Sequence, residues 1–105
     1  MTKIIQINGH RFPVEEIAFV SSVFAEDCGN NIMYSTIEGK YVYEKVFYRF
    51  YIKLKNDFTI YWDSEVVGNA HVEPAATERK ATETTRQRII DFIWPDAETL
   101  IISNQ

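Results

Sequence analysis

The sequence predicts an α+β fold in a single domain spanning residues 1–105. A strongly curved antiparallel sheet of five or six strands, arranged as a meander, is covered on its concave face by one C-terminal helix. Three observations carry this expectation. Segments rich in β-branched and aromatic residues alternate apolar and polar positions, most cleanly over 46–54. Turn residues separate those segments at Asn8-Gly9, over EDCGNN (26–31), over EGK (38–40) and at Asn56-Asp57. Only TERKATETTRQRIIDFIW (77–94) has the spacing and stop signals of a long helix.

In chain order, KIIQINGHRF (3–12) places Asn-Gly between short apolar arms, the composition of a two-residue hairpin turn. That turn pairs Ile7 with His10 and Ile5 with Phe12, putting all four on one face, and Pro13 then ends the second arm. VEEIAFVSSVFA (14–25) reads as a longer strand, IMYSTI (32–37) as its return, and Tyr41 to Lys55 as one long strand. Val46, Tyr48, Phe50, Ile52 and Leu54 form its apolar face; Phe47, Arg49, Tyr51 and Lys53 form the other.

The return strand settles the register. A two-residue turn at Asn56-Asp57 would put the apolar sets of the two strands on opposite sides of the sheet. A three-residue turn, Lys55-Asn56-Asp57, instead pairs Leu54 with Phe58, Ile52 with Ile60 and Phe50 with Trp62. It also sets Lys53 against Thr59, Tyr51 against Tyr61 and Arg49 against Asp63, with Asn56 or Asp57 left-handed. Arg49, Tyr51, Lys53, Tyr61 and Asp63 therefore share one outward face. Cross-strand pairs of this kind stabilise a sheet by about 0.2–1 kcal/mol each, so a solvated back suffices to explain them. The same set is also the candidate contact surface.

SEVVGNAHVEPAA (64–76) reads as a loop. The helix follows, with Thr77 as N-cap, Glu78 at the positive end and Pro95 as the stop. Its apolar residues, Ile89, Ile90, Phe92, Ile93 and Trp94, fill the last two turns, and the first half has little to bury. TLIIS (99–103) is expected to add an edge strand. Arg79, Lys80, Arg86 and Arg88 lie among acidic neighbours, as on a solvated helix face. An uncovered half-helix needs support, so this basic segment is expected to meet a second copy of the chain, as a homodimer, or an acidic partner. Neither Arg86 nor Arg88 is expected to matter to the core.

Composition narrows the function classes. With 46% hydrophobic residues and 25% charged, a chain of 105 residues can build a core. Net charge −4 and a pI near 5.1 oppose affinity for nucleic-acid backbones. The longest apolar run is too short to span a bilayer, MTKIIQINGHRF has no export-signal pattern, and the single Cys28 allows no internal disulfide; a cytoplasmic protein is expected.

Reactive chemistry is hard to assemble. Gly9, Gly29, Gly39 and Gly68 are isolated, so no phosphate loop is present, and His10, His71 and Cys28 have no zinc spacing. Nothing in the spacing brings Cys28, His71 and an acid together, and Glu15-Glu16 and Glu26-Asp27 are adjacent pairs rather than facing ones. YRFYIKLK lacks the glycine of the RNA-recognition pattern and sends Phe50 to the core side. No metal or cofactor is expected, and no enzymatic activity.

In element order, EEIAFVSSVF as a core strand, YRFYIKLKNDFTIYW as a hairpin and TRQRIIDFI as a capping helix resemble pleckstrin-homology-like domains. The resemblance covers most of the chain, carries no diagnostic motif and implies a binding platform; it transfers no residues. Small size, acidity and the missing catalytic groups also resemble the inhibitors of host enzymes made by phages and mobile elements, anti-CRISPR proteins among them. Two functions are thus expected: an interaction protein that binds another protein, such as a host enzyme or complex, or a small-molecule-binding domain. The second would hold its ligand between helix and sheet near Tyr48, Trp62 and Trp94.

Overall fold

The computed structural model describes residues 2–28, 32–36, 39–43, 45–68 and 73–102. Antiparallel strands and one C-terminal helix make up the fold. β1 (Ile4–Ile7) and β2 (His10–Pro13) form a hairpin, and a short 3-10 turn over Val14–Glu16 leads into β3 (Ile17–Val20) and β4 (Phe24–Asp27). β5 (Ile32–Ser35), β6 (Lys40–Tyr43), β7 (Val46–Leu54), β8 (Thr59–Asp63) and α1 (Glu73–Ile93) follow. The expected single meander is divided: β3, β4, β7 and β8 form one sheet, while β1–β2 and β5–β6 are separate two-stranded hairpins. The long strand expected from Tyr41 to Lys55 is two strands, β6 and β7, belonging to different sheets.

Local sequence sets the hairpins. Asn8 and Gly9 both take positive φ, 50° and 83°, as a type I′ turn requires, and the expected pairs Ile7–His10 and Ile5–Phe12 form. Ile5, Ile7 and Phe12 are buried; His10 lies at the margin, its ring 5.6 Å from Phe58. The β7–β8 register is the one the three-residue turn demands, from Arg49–Asp63 through Tyr51–Tyr61 to Lys53–Thr59. Asp57 supplies the left-handed residue with φ 71°, and the Asn56 Oδ1 accepts from the Phe58 N–H at 3.0 Å. Phe58, expected on the buried face, is instead 48% exposed, since it closes the turn where the sheet ends.

β7 is the axis of the sheet. Its burial alternates without a break, and Phe50, Ile52 and Tyr48 are almost wholly enclosed. β8 takes one edge; β3 and β4 share the other, end to end. Val20 faces Ile52 and Phe24 faces Arg49, so residues 21–23 oppose only residues 50–51 and one residue is extra. Ser21 bridges the break. Its N–H donates to the Tyr51 carbonyl at 2.9 Å, while its Oγ accepts from the Tyr51 N–H at 2.8 Å. Ser64 repeats the arrangement on the opposite edge, where its N–H donates to the Tyr48 carbonyl and its Oγ accepts from the Tyr48 N–H, both at 2.8 Å. Each serine hydroxyl thus replaces a backbone carbonyl, and the chain leaves the ladder without orphaning a β7 amide.

The helix and the first hairpin cover the apolar face. Ile5, Ile7, Phe12, Ile17, Ile52, Leu54, Ile60 and Ile93 form one cluster, and Val46 with Tyr48 forms a second. The Lys3 ammonium donates to the Phe92 carbonyl at 3.1 Å, near the negative end of the helix. The helix begins at Glu73 rather than 77, because Pro74 is compatible with a first turn, where its missing N–H costs nothing. Its first half does bury a residue: Thr82 is fully enclosed, its hydroxyl donating to the Glu78 carbonyl at 2.8 Å. Thr84 and Thr85 bond back in the same way to Lys80 and Ala81, so all three hydroxyls are satisfied within the helix. No strand forms over Thr99–Ile102; Ser103 lies outside the described residues.

Ser21→Ala and Ser64→Ala are each expected to lower stability by about 1–3 kcal/mol, because each leaves a β7 amide without its acceptor. Urea unfolding should show lower midpoints at an unchanged slope; wild-type midpoints in both variants would show that water replaces the hydroxyl at no cost.

Candidate functional site

The outward face of β7 and β8 gathers a cluster of aromatic and charged side chains. Arg49, Tyr51, Lys53, Tyr61 and Asp63 lie together there, as the register requires. The extra residue in 21–23 adds two more. Phe19 and Phe24 are an odd number of positions apart, so an unbroken strand would send them to opposite faces. The bulge restores Phe19 beside Lys53 and Phe24 beside Arg49, both on the outer side. Tyr51 then sits within three edge-to-face contacts, 5.8 Å from Phe19, 6.4 Å from Phe24 and 5.8 Å from Tyr61.

Arg49 is held by three side chains. Its Nε donates to Asp63 Oδ1 at 2.7 Å and its Nη2 to Asp63 Oδ2 at 3.1 Å, the bidentate geometry of a guanidinium on a carboxylate. The same guanidinium carbon stands 4.6 Å from the Tyr61 ring centre and 5.1 Å from that of Phe47. The hydrogen bonds to Asp63 raise the Arg49 pKa above its ordinary value, with smaller help from the charges of Asp63 and Glu26. Lys53 is less tightly placed, its ammonium 4.0 Å from Asp57. Phe19 and Tyr61 remain 43% and 46% exposed, so the patch is ordered yet open to water.

The basic segment of the helix does not form a strip. Successive residues turn by about 100°, so Arg86 and Arg88 point to nearly opposite sides. Arg86 lies half-buried against the sheet, its Nε donating at 2.5 Å to the Ser21 carbonyl, which the serine bridge leaves free of the ladder. Arg79 stands 5.9 Å from the Tyr48 ring centre and 3.6 Å from Glu83. Lys80 is exposed. Arg86 is therefore part of the fold, contrary to its expected dispensability.

Arg88 borders a groove of about 450 Å³ between β1 and the helix, with Ile4, Gln6, Trp62, Ile89 and Phe92 among its walls. Of the three rings expected around a ligand, only Trp62 lines it. Tyr48 belongs to the smaller core cluster, and Trp94 is exposed beyond the helix end. Cys28 is exposed, and His71 lies outside the described residues. Among the described residues no three His, Cys, Asp or Glu side chains converge as metal ligands, and no helix is long and apolar enough to cross a membrane.

The chain matches no family model, no curated protein and no solved structure in these comparisons. What defines the site is thus its own geometry: an ordered aromatic and arginine face on an antiparallel sheet, with a groove of mixed apolar and polar walls on the other side.

Arg86→Met is expected to cost about 1–3 kcal/mol, because the Ser21 carbonyl loses a charged donor. Arg88→Met should change stability by no more than about 0.5 kcal/mol. Thermal or urea unfolding of the pair checks this; equal effects would contradict the separate roles. Asp63→Asn should cost only about 0–1 kcal/mol, as the pair it breaks is partly exposed.

Proposed function

We propose that this chain is a non-enzymatic protein-binding module whose contact surface is the outer face of β7 and β8. The observation that carries the reading is the set of rings around Tyr51, with Arg49 locked beside them, on a face left open to solvent. Aromatic and arginine side chains supply most of the hot spots in protein interfaces. Rings and a guanidinium already held in place lose little rotamer freedom on binding, so more of the contact energy becomes affinity.

The layout supports the same reading. Among the described residues, the helix and first hairpin cover one face of the sheet and leave the other uncovered. In its sharpest form the module is a cytoplasmic inhibitor of a host enzyme or complex, carried by a phage or mobile element and of the anti-CRISPR or other anti-defence type. Small size and net charge −4 support that form. A second reading, a small-molecule-binding domain, rests on the groove beside Trp62.

Affinity capture from host lysate with the intact chain tests the interaction reading. A stoichiometric protein should be recovered and then lost, by about tenfold or more, with Phe19→Ser/Tyr61→Ser, in keeping with two hot-spot truncations. Circular dichroism of the variant should stay unchanged. Repeated capture of no stoichiometric protein, or undiminished capture by the variant, would overturn the assigned surface. Native mass spectrometry separates the second reading, which requires a retained ligand.

A further inference from the structure

The first hairpin has an unpaired edge. In a two-residue hairpin the residues flanking the turn exchange both hydrogen bonds, so Ile7–His10 and Ile5–Phe12 are the bonded pairs. The N–H and C=O groups of Ile4 and Gln6 therefore point away from β2, and among the described residues no other strand pairs with β1. Ile4 and Gln6 both line the groove, facing Ile89 and Phe92 on the helix and Trp62 on β8. Arg88 borders the same groove, exposed and, among the described residues, without an ion pair or hydrogen bond from its guanidinium.

A free strand edge, a groove with both apolar and polar walls, and an unpaired cation together suit an extended segment that carries apolar side chains and an acid. The chain contains one. Leu100, Ile101 and Ile102 are 84%, 84% and 82% exposed, more than any other large apolar side chain described. In an extended strand Glu98, Leu100 and Ile102 project to one side, an acid followed by two apolar residues. The acid suits Arg88, and the two apolar residues suit the walls at Ile4, Trp62, Ile89 and Phe92. In its own chain the segment leaves the helix through a turn, the Ala97 N–H donating to the Trp94 carbonyl at 3.2 Å, and stays in solvent while the groove stands open.

We infer that Glu98–Ile102 of one copy docks as an added strand on the β1 edge of a second copy, exchanged reciprocally in a two-fold dimer. Leu100 and Ile102 enter the groove between Trp62, Ile89 and Phe92, and Glu98 meets Arg88. Exchange covers both exposed segments and both open edges with one self-complementary contact, which closes the assembly at two chains. The outer sheet face takes no part, so this inference goes beyond the protein-binding reading and stands or falls separately from it.

Sedimentation equilibrium of the intact chain across a concentration series tests it. The expected mass rises to twice 12.3 kDa. Leu100→Asp/Ile102→Asp should be monomeric with unchanged circular dichroism, since both positions are exposed in the single chain. Arg88→Glu and Glu98→Arg should each weaken the dimer by about tenfold, because a two-fold assembly loses the ion pair twice. Mixing those two variants should restore a mixed dimer, as every acid then meets a base again. A photo-crosslinker at Ile101, in a mixture of heavy and light isotope-labelled chains, should join residues 4–8 of one label to the other. A monomer at every concentration, a dimer unaffected by the Leu100/Ile102 change, or crosslinks only within one chain would overturn the inference.

Discussion

The central sheet hangs on β7, a strand whose backbone groups are partnered on both edges along its length. A central strand cannot leave an amide dry and unpaired, since the desolvation cost of even one such group rivals a sizeable part of a small domain's stability. The neighbours of β7 are short and broken, so side chains must fill the gaps. Ser21 and Ser64 do so on opposite edges, at Tyr51 and Tyr48, with the same exchange of a hydroxyl for a carbonyl. The Ser21 bridge has a second effect. It frees a carbonyl that accepts from Arg86, and so fastens the helix to the sheet about two turns before its C-terminal end.

The candidate surface follows from the same constraint. The extra residue that requires the Ser21 bridge also shifts the phase of the strand, so that Phe19 and Phe24 arrive beside Tyr51. This irregularity anchors the helix on one face and, together with the register shift between Ile17 and Phe19, assembles the aromatic cluster on the other. The Arg49–Asp63 pair, partly exposed, adds little stability but fixes where the guanidinium lies. On this surface charge serves position more than strength.

Much of this was legible in the residues, and the boundary is physical. Asn8-Gly9 and Lys55-Asn56-Asp57 are local devices: left-handed backbone is available there to few residue types, and a one-residue error in either turn would turn a strand inside out. The five outward residues of β7 and β8 were readable for that reason. Phe19 and Phe24 were not, because alternation carries no mark of an inserted residue; Ser21-Ser22, two small hydroxyl residues inside a strand, was the available signal. The helix start was obscured by Pro74, which reads equally as a loop residue and as a first-turn residue. Arg86 and Arg88 look alike in the sequence, and only the path of the sheet decides which of them is enclosed.

The β5–β6 hairpin stands apart from this scheme. Among the described residues its strands pair only with each other, and its cross-strand rings, Tyr34 and Tyr41, meet edge to face at 5.2 Å while remaining exposed. An isolated two-stranded hairpin is marginal by itself. It is therefore expected to open locally, at lower free energy than the β7 sheet. In evolutionary terms, that separation makes it the part of the chain freest to change length and sequence, since the cost of a longer closed loop grows only logarithmically.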